Sequence, residues 1–448
     1  MADTIYALSS GRPPAGIAVI RLSGRQVSEI NRLFVNGAEK LRPRTAHLRE
    51  LRDPLTRDLL DQALVLVLPG PRTVTGEDMA EWHCHGGQAV VRAVLAALAA
   101  LGAARPELRL REAVAGEFTR RAFENGRIDL NEAEGLADLL SAETESQRRA
   151  ALLMAEGHFS RRLEHWREAL LRCSALTESL LDFSDEDDVP ESGAERELRA
   201  SVAALSAEME RQLAAPAAER LRDGVRLVLA GPPNAGKSTL LNALVGREAA
   251  IVSDIAGTTR DRIEVPVQLG GVAFVVTDTA GLAEQTGDSI ERIGIDRARQ
   301  AIETCDILLW LGDPADCPRA DAIRIAAQMD RDDWQGQGGA NIAISARTGA
   351  NMPELIGLIL ARAASLIPAE GEFALHERQR AGVREMVDAL EAVQAEHDLL
   401  IVAEQLRSAR LAMDRLIGRS GGRGYARRLV RALLHRQVMF HVEHAAPL

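Results

Sequence analysis

The period of apolar and polar positions changes several times along this chain of 448 residues, and the changes mark out its parts. Up to residue 118, short apolar runs at 17–20 and 64–68 are bounded by Gly and Pro as strands are, and 89–101 reads as a helix. A mixed α/β domain is predicted over 1–118. From 120 to 213 apolar residues recur at three- and four-residue spacing with almost no Gly or Pro, which predicts a helical domain over 119–218. Its one interruption, the acidic run Asp185-Glu186-Asp187-Asp188 ahead of Pro190, reads as a solvated loop. A second α/β pattern fills 219–368, with strands predicted at 225–230, 262–269, 272–277, 307–311, 323–327 and 342–345. Gly270-Gly271 makes a hairpin turn, Gly246 is the expected stop of a helix over 238–245, and Asn351 followed by Glu354, with Pro353 in the first turn, is expected to start the last helix of the block. Strands alternating with helices give a doubly wound domain. Helical periodicity then returns to residue 416, so 369–448 is read as the second half of one helical domain into which the α/β domain is inserted.

Composition narrows the class. Hydrophobic residues at 46% with 27% charged are ordinary for a globular chain, and only 3% aromatic fits helices rich in Ala, Leu and Arg. No apolar run reaches the ~18 residues of a membrane span, and Met1-Ala2-Asp3-Thr4 carries no basic leader, so a cytoplasmic protein without membrane partners is expected. Cys84, Cys173, Cys305 and Cys317 form no CxxC pair, which argues for reduced thiols rather than disulfides or zinc. A net charge of −11 argues against a generally basic nucleic-acid binder and leaves room for a local basic patch.

The chemistry lies in the second α/β pattern. Gly231-Pro232-Pro233-Asn234-Ala235-Gly236-Lys237-Ser238 matches GxxxxGK[ST] between a predicted strand and a predicted helix. Its backbone N–H groups and the helix N-terminus suit phosphates, Lys237 would reach the β/γ-phosphates, and Ser238 would ligate Mg²⁺. Gly257-Thr258-Thr259-Arg260-Asp261 offers a threonine able to close over Mg²⁺ when a γ-phosphate is present. In Asp278-Thr279-Ala280-Gly281, Asp278 would hold Mg²⁺ through water and the Gly281 N–H would sense the γ-phosphate. Ser345-Ala346-Arg347 falls where a guanine-contacting loop belongs. Four such elements in order predict a GTP-hydrolysing switch domain.

Two parts of that pattern are irregular. The usual Asn-Lys-x-Asp is replaced by Ala327-Gln328-Met329-Asp330, in which Asp330 either reads guanine or merely caps a loop. Leu282 stands where a water-orienting glutamine is expected, leaving Glu291 as the best nearby carboxylate; its alternative role is a charge at a helix N-terminus. Asn234 could ligate a monovalent cation beside the β/γ-phosphates.

Taken with Ile20-Arg21-Leu22-Ser23-Gly24, Thr75-Gly76-Glu77-Asp78, His85-Gly86-Gly87 and Gly116-Glu117-Phe118-Thr119-Arg120-Arg121-Ala122-Phe123, these motifs resemble the MnmE (TrmE) family of tRNA-modification GTPases over 1–420. The resemblance implies a homodimer whose N-terminal domain binds 5-formyltetrahydrofolate or a related folate. It also implies a heterotetramer with an FAD flavoprotein of the MnmG (GidA) type, acting on the wobble uridine of certain tRNAs at carbon 5. By carry-over, Asn234, Ser253, Ile255 and Thr258 would hold K⁺, Ser238 and Thr259 would hold Mg²⁺, and Glu291 would orient the water. GTP would be lined by Asn234, Ala235, Gly236, Lys237, Ser238 and Thr239, by Ser253, Asp254, Ile255, Ala256, Gly257, Thr258 and Thr259, and by Asp278, Thr279, Ala280 and Gly281. Asp330, Ser345, Ala346 and Arg347 would take the base. Folate contacts would fall to Arg21, Glu81 and Arg127.

The C-terminal tail departs from the family. Members end in Cys-Ile-Gly-Lys, whereas this chain reads Gly421-Gly422-Arg423-Gly424 and continues to Leu448 without a cysteine. Codons for residues 422–437 can be chosen that spell the family tail when read one base later, so a one-base frameshift is one reading and a solvated or RNA-contacting helix the other. The alternative function, an RNA- or ribosome-binding GTPase switch that modifies nothing, follows if the tail chemistry is absent.

Overall fold

The computed structural model describes residues 3–182, 191–216, 218–247, 264–279, 288–334, 336, 338–369 and 371–418. They form two compact units, one ending at Ala133 and one beginning at Glu134.

The first unit is built on a six-stranded sheet. Its elements are β1 (Thr4–Leu8), β2 (Ile17–Ser23), α1 (Val27–Phe34), β3 (His47–Arg52), β4 (Leu59–Leu68), β5 (Met79–His85), α2 (Gln88–Ala104), β6 (Leu110–Glu112) and α3 (Glu117–Glu124). The strand order is β3-β4-β5-β2-β1-β6, antiparallel except for the β1–β6 pair. Phe34 of α1 and Leu98 of α2 bury against Trp82 on one face, where the indole N–H donates to Asn31 at 2.8 Å. The other face is open. Its alternate positions place Leu48, Leu64, His83 and Val19 in one cross-strand row, and Leu48 and Leu64 stay 60% and 41% exposed. That half-buried character is why β3 and β5 carry charged and histidine residues that hide them from a search for apolar runs.

One buried ionic cluster ties α3 to the sheet. Glu117, wholly buried, accepts from Arg111 at 2.7 Å and Arg121 at 3.0 Å, and Arg121 also donates to Glu77 at 2.9 Å. Burial disfavours the Glu117 carboxylate, yet these donors and the Val114 N–H outweigh it and hold its pKa down at about 2.

The second unit combines helices with a second sheet. Helices α4 (Leu130–Ser141, which starts in the first unit), α5 (Glu145–Ala155), α6 (His158–Asp182), α7 (Glu191–Ala214) and α8 (Ala218–Asp223) lead to the sheet. Then come β7 (Val225–Ala230), α9 (Lys237–Arg247), β8 (Glu264–Leu269), β9 (Val272–Asp278), α10 (Asp288–Thr304), β10 (Ile307–Trp310), β11 (Ile323–Ala326), β12 (Ile342–Ala343) and α11 (Met352–Ala363). Helices α12 (Glu377–Ala395) and α13 (Leu399–Ile417) close the described chain. Trp166 and Leu170 of α6, Leu198 of α7, Leu390 of α12 and Leu406 of α13 bury in one core, so helices from both sides of the sheet in sequence share it. The chain leaves and re-enters this helical body at one place: Ala218 N–H donates to Leu375 O at 3.2 Å, and Glu377 N–H to the Glu219 carboxylate at 2.9 Å.

The second sheet has the order β12-β11-β10-β7-β9-β8, parallel except for the β8–β9 hairpin. The expected turn is there, with Gly270 at φ 53° and Gly271 at φ 81°, the left-handed pair that a two-residue hairpin needs. One expectation fails. Gly246 does not stop its helix, which runs on to Arg247, because Leu240 and Leu244 are fully buried and outweigh the ~1 kcal/mol cost of an interior glycine. Asn351 starts α11 as expected, as its N-cap residue at φ 58°, and its side-chain N–H₂ donates to Ala343 O at 2.8 Å, fixing α11 to β12.

Candidate functional site

The C-terminal edge of the parallel strands carries the site, as expected for an open doubly wound sheet. β7 ends at Ala230, and the chain passes into a loop with Gly231 at φ 147°, Asn234 at φ 61° and Gly236 at φ 95° before α9 begins at Lys237. A Cβ on Gly231 would come within 3.0 Å of the Leu311 backbone, so only glycine fits there. Positive φ values in succession turn backbone N–H groups to one side, the nest that binds phosphates. The Lys237 ammonium donates to Gly231 O at 2.9 Å and Pro232 O at 2.8 Å. Burial lowers its pKa, with Asp278 pulling the other way.

Two of the residues expected near Mg²⁺, Ser238 and Asp278, meet, and Thr259 lies outside the described residues. Ser238 Oγ donates to Asp278 Oδ2 at 2.6 Å, bringing the head of α9 to the end of β9. Two hard oxygens beside a phosphate nest are a donor set that fits Mg²⁺. Thr279 Oγ1 instead donates to Leu229 O at 2.9 Å and is nine-tenths buried, so its side chain belongs to the sheet.

Beyond the loop an open cleft is lined by Gly236, Thr239 and Leu240 on one side and by Gln328, Asp330 and Arg347 on the other. Asp330 is fixed at both oxygens: Ser345 Oγ donates to Oδ1 at 2.6 Å and Arg347 Nε to Oδ2 at 2.8 Å. The Ser345 hydrogen bond, with Arg347 adding to it, holds the Asp330 pKa below the usual carboxylate range. A carboxylate so placed can accept two parallel N–H donors, the pattern of a guanine edge.

Sequence reasoning missed Gln328. Its side chain donates to Asn234 O at 2.9 Å, linking the base-side loop to the phosphate loop, although nothing in the local sequence marks it beyond its place two residues before Asp330. Ser253, Asp254, Ile255, Ala256, Gly257, Thr258, Thr259, Ala280 and Gly281 lie outside the described residues. Glu291 falls within α10, but its side chain is also outside them.

In the first unit Arg21 and Glu81 are directly opposed on β2 and β5 and joined at 2.9 Å, with the Arg21 guanidinium 5.8 Å from the Phe118 ring centre. Arg127 donates to Thr73 O at 3.1 Å. The same loop brings Thr75 within 2.7 Å of Ser23, two positions along β2 from Arg21. His83 and His85 turn to carboxylates, Glu81 at 3.5 Å and Asp61 at 2.7 Å, and no cluster of metal-ligating side chains occurs among the described residues.

Residues 4–127 match the family model for the N-terminus of the GTP-binding protein TrmE, and residues 130–423 match that for the MnmE helical domain. The chain belongs to the MnmE (TrmE) family. The tRNA modification GTPase MnmE of Rhizorhabdus wittichii is 57% identical over 419 residues, 94% of this chain and 93% of that protein. Those of Novosphingobium aromaticivorans and Erythrobacter litoralis are each 50% identical, over 94% and 93% of this chain and 96% of either relative. A solved G domain of the T. maritima FeoB iron transporter aligns at 22% identity over 31% of this chain and 98% of its own, with a TM-score of 0.24. The chain is therefore a GTP hydrolase of tRNA modification. No helix among the described residues is long and apolar enough to cross a membrane.

Proposed function

We propose that this MnmE-family chain is a K⁺-stimulated GTPase that, with a flavoprotein of the MnmG type, modifies carbon 5 of the wobble uridine of certain tRNAs in the cytoplasm. The observation that carries the cation reading is Asn234, a non-glycine residue held at φ 61° inside the phosphate loop. Asparagine adopts that conformation more readily than other side-chain-bearing residues, and it places an amide oxygen within the phosphate loop. Asn234 with Ser253, Ile255 and Thr258 would hold K⁺, and Ser238 with Thr259 would hold Mg²⁺, Asp278 assisting through water. Bound there, the two cations supply positive charge where the β/γ-phosphate oxygens gain negative charge in the transition state.

The chain's own residues supply the rest. The N–H groups of Asn234 to Thr239 orient the phosphates, Lys237 leaves the Gly231 and Pro232 carbonyls for them, and Glu291 at the start of α10 orients the attacking water. Gly257, Asp254, Ala256, Thr279, Ala280 and Gly281 complete the phosphate end. Asp330 accepts from the guanine edge, and Ser345, Ala346 and Arg347 close the base end.

Arg21, Glu81 and Arg127 are proposed to bind 5-formyltetrahydrofolate or a relative, Glu81 accepting from the pterin edge once Arg21 is drawn off to an anion. The open sheet face with Leu48 and Leu64 suits a second copy of the chain, which supports the homodimer. The proposed insertion of the GTPase domain into the helical domain rests on the shared core of α6, α7, α12 and α13.

GTP hydrolysis measured in KCl and in NaCl, with Mg²⁺ present, tests the cation site. Faster turnover in K⁺, lost in Asn234→Ala, is expected; equal rates in the two salts overturn it. The lack of a cysteine beyond Cys317 favours, as a second reading, a GTPase switch on RNA or the ribosome without modification chemistry. Sequencing the DNA at codons 421–448 separates the two.

A further inference from the structure

Gln328 is held at both ends of its amide. Its Nε2 donates to Asn234 O at 2.9 Å, and its Oε1 accepts from Arg331 Nη1 at 3.1 Å. Arg331 is itself oriented by Asp333, which accepts from Nε at 3.1 Å and Nη2 at 3.3 Å. A carbonyl only accepts and a guanidinium only donates, so one orientation of the amide satisfies both partners and the reverse satisfies neither. The backbone is committed to the same end: Gln328 sits at φ 59°, and a Cβ on Gly236 would stand 3.4 Å from its Nε2. In Asn-Lys-x-Asp a lysine stands two residues before the aspartate, where this chain has the neutral Gln328.

We propose that Gln328 is a positioning residue that clamps the base-reading loop onto the phosphate loop through the Asn234 carbonyl, with Arg331 fixing the orientation of its amide. The proposal rests on the reading of Asp330 as the base-contacting carboxylate. Asp330 lies two residues along the same loop, so holding Gln328 to Asn234 fixes how far the base carboxylate stands from the phosphate nest. A nucleotide spans both and feels the spacing as preorganisation. The clamp carries no net charge at Gln328, so its contribution is not screened by salt, whereas a lysine at this position would add a salt-sensitive attraction to phosphate.

GDP affinity of the full chain in Mg²⁺, measured calorimetrically at low and at high KCl, tests this. Gln328→Met, which keeps the shape without donor or acceptor, is expected to weaken GDP about tenfold, the loss of one well-made hydrogen bond. That loss should be the same at both salts. Gln328→Lys should recover affinity at low salt and forfeit the gain at high salt, and Arg331→Ala should lose about two- to threefold. In Asp330→Asn the Gln328→Met penalty should shrink, because both act on one loop. Wild-type affinity in Gln328→Met, or a penalty that fades with salt, overturns the clamp. If Asp330→Asn leaves GDP binding unchanged while Gln328→Met weakens it, the reading of Asp330 fails and the clamp stands.

Discussion

At the phosphate end of the cleft the recognising groups are backbone amides held by glycines, whereas at the base end they are side chains borne on two loops. The difference is physical. Gly231 has no room for a Cβ and Gly236 sits at φ 95°, so the loop shape is written into residue type. Asp330, Ser345, Arg347 and Gln328 work only because the fold brings residues far apart in sequence within 3 Å of one another. A backbone cradle tolerates little variation and holds its function through conformation. A side-chain site tolerates exchange of one donor for another, as glutamine for lysine.

Five measurements press on that contrast. The largest effect is expected from Lys237→Ala, which removes the ammonium of the phosphate loop: GTP turnover should fall by about 10²-fold or more, with the fold intact by circular dichroism. Next, Gly236→Ala forces a side chain to φ 95° and toward the Gln328 amide, so nucleotide binding should drop by one to two orders of magnitude, about 1–3 kcal/mol. At the base end, Asp330→Asn should reduce the preference for GTP over ATP by about tenfold in a competition assay while leaving turnover of bound nucleotide nearly unchanged. Since Ser345 and Arg347 keep Asp330 ionised below the usual carboxylate range, GTP preference should be flat from about pH 5 to about 8 and fail only on further acidification. The smallest effect belongs to Arg347→Ala: Arg347 is 76% exposed, so its ion pair with Asp330 is worth about 0–1 kcal/mol and GTP affinity should change less than about fivefold.

The same contrast explains what could be read in advance. Strands β7 and β9, the Gly270-Gly271 turn and the phosphate loop were legible because glycine and apolar runs encode them locally. In the first unit β3 and β5 were not, since half their positions face outward and carry Arg, Glu and His. Ser238 and Asp278 were each singled out from the sequence, and their 2.6 Å contact followed from the fold. Gln328 was visible only as a missing lysine, because its role depends on a carbonyl 94 positions earlier in the chain. Asn351 was legible as the start of α11, whereas the turn of its side chain back to β12 depends on a left-handed backbone that no local capping rule anticipates.

The two crossings between the helical body and the nucleotide sheet lie side by side, joined through Ala218 with Leu375 and Glu219 with Glu377. The chain thus joins sheet to helices at a single place, and Ser146 of α5 adds a second hold, its N–H and Oγ donating to Gly271 O at 3.2 and 3.0 Å. Excising residues 220–374 and bridging the cut with about two or three residues would close a loop whose ends already touch, at little entropic cost. The helical remainder should then fold without the part that reads GTP. Conversely, any turning of the nucleotide sheet reaches the helices at two places, the paired crossings and the hairpin turn at Gly271 that Ser146 of α5 holds.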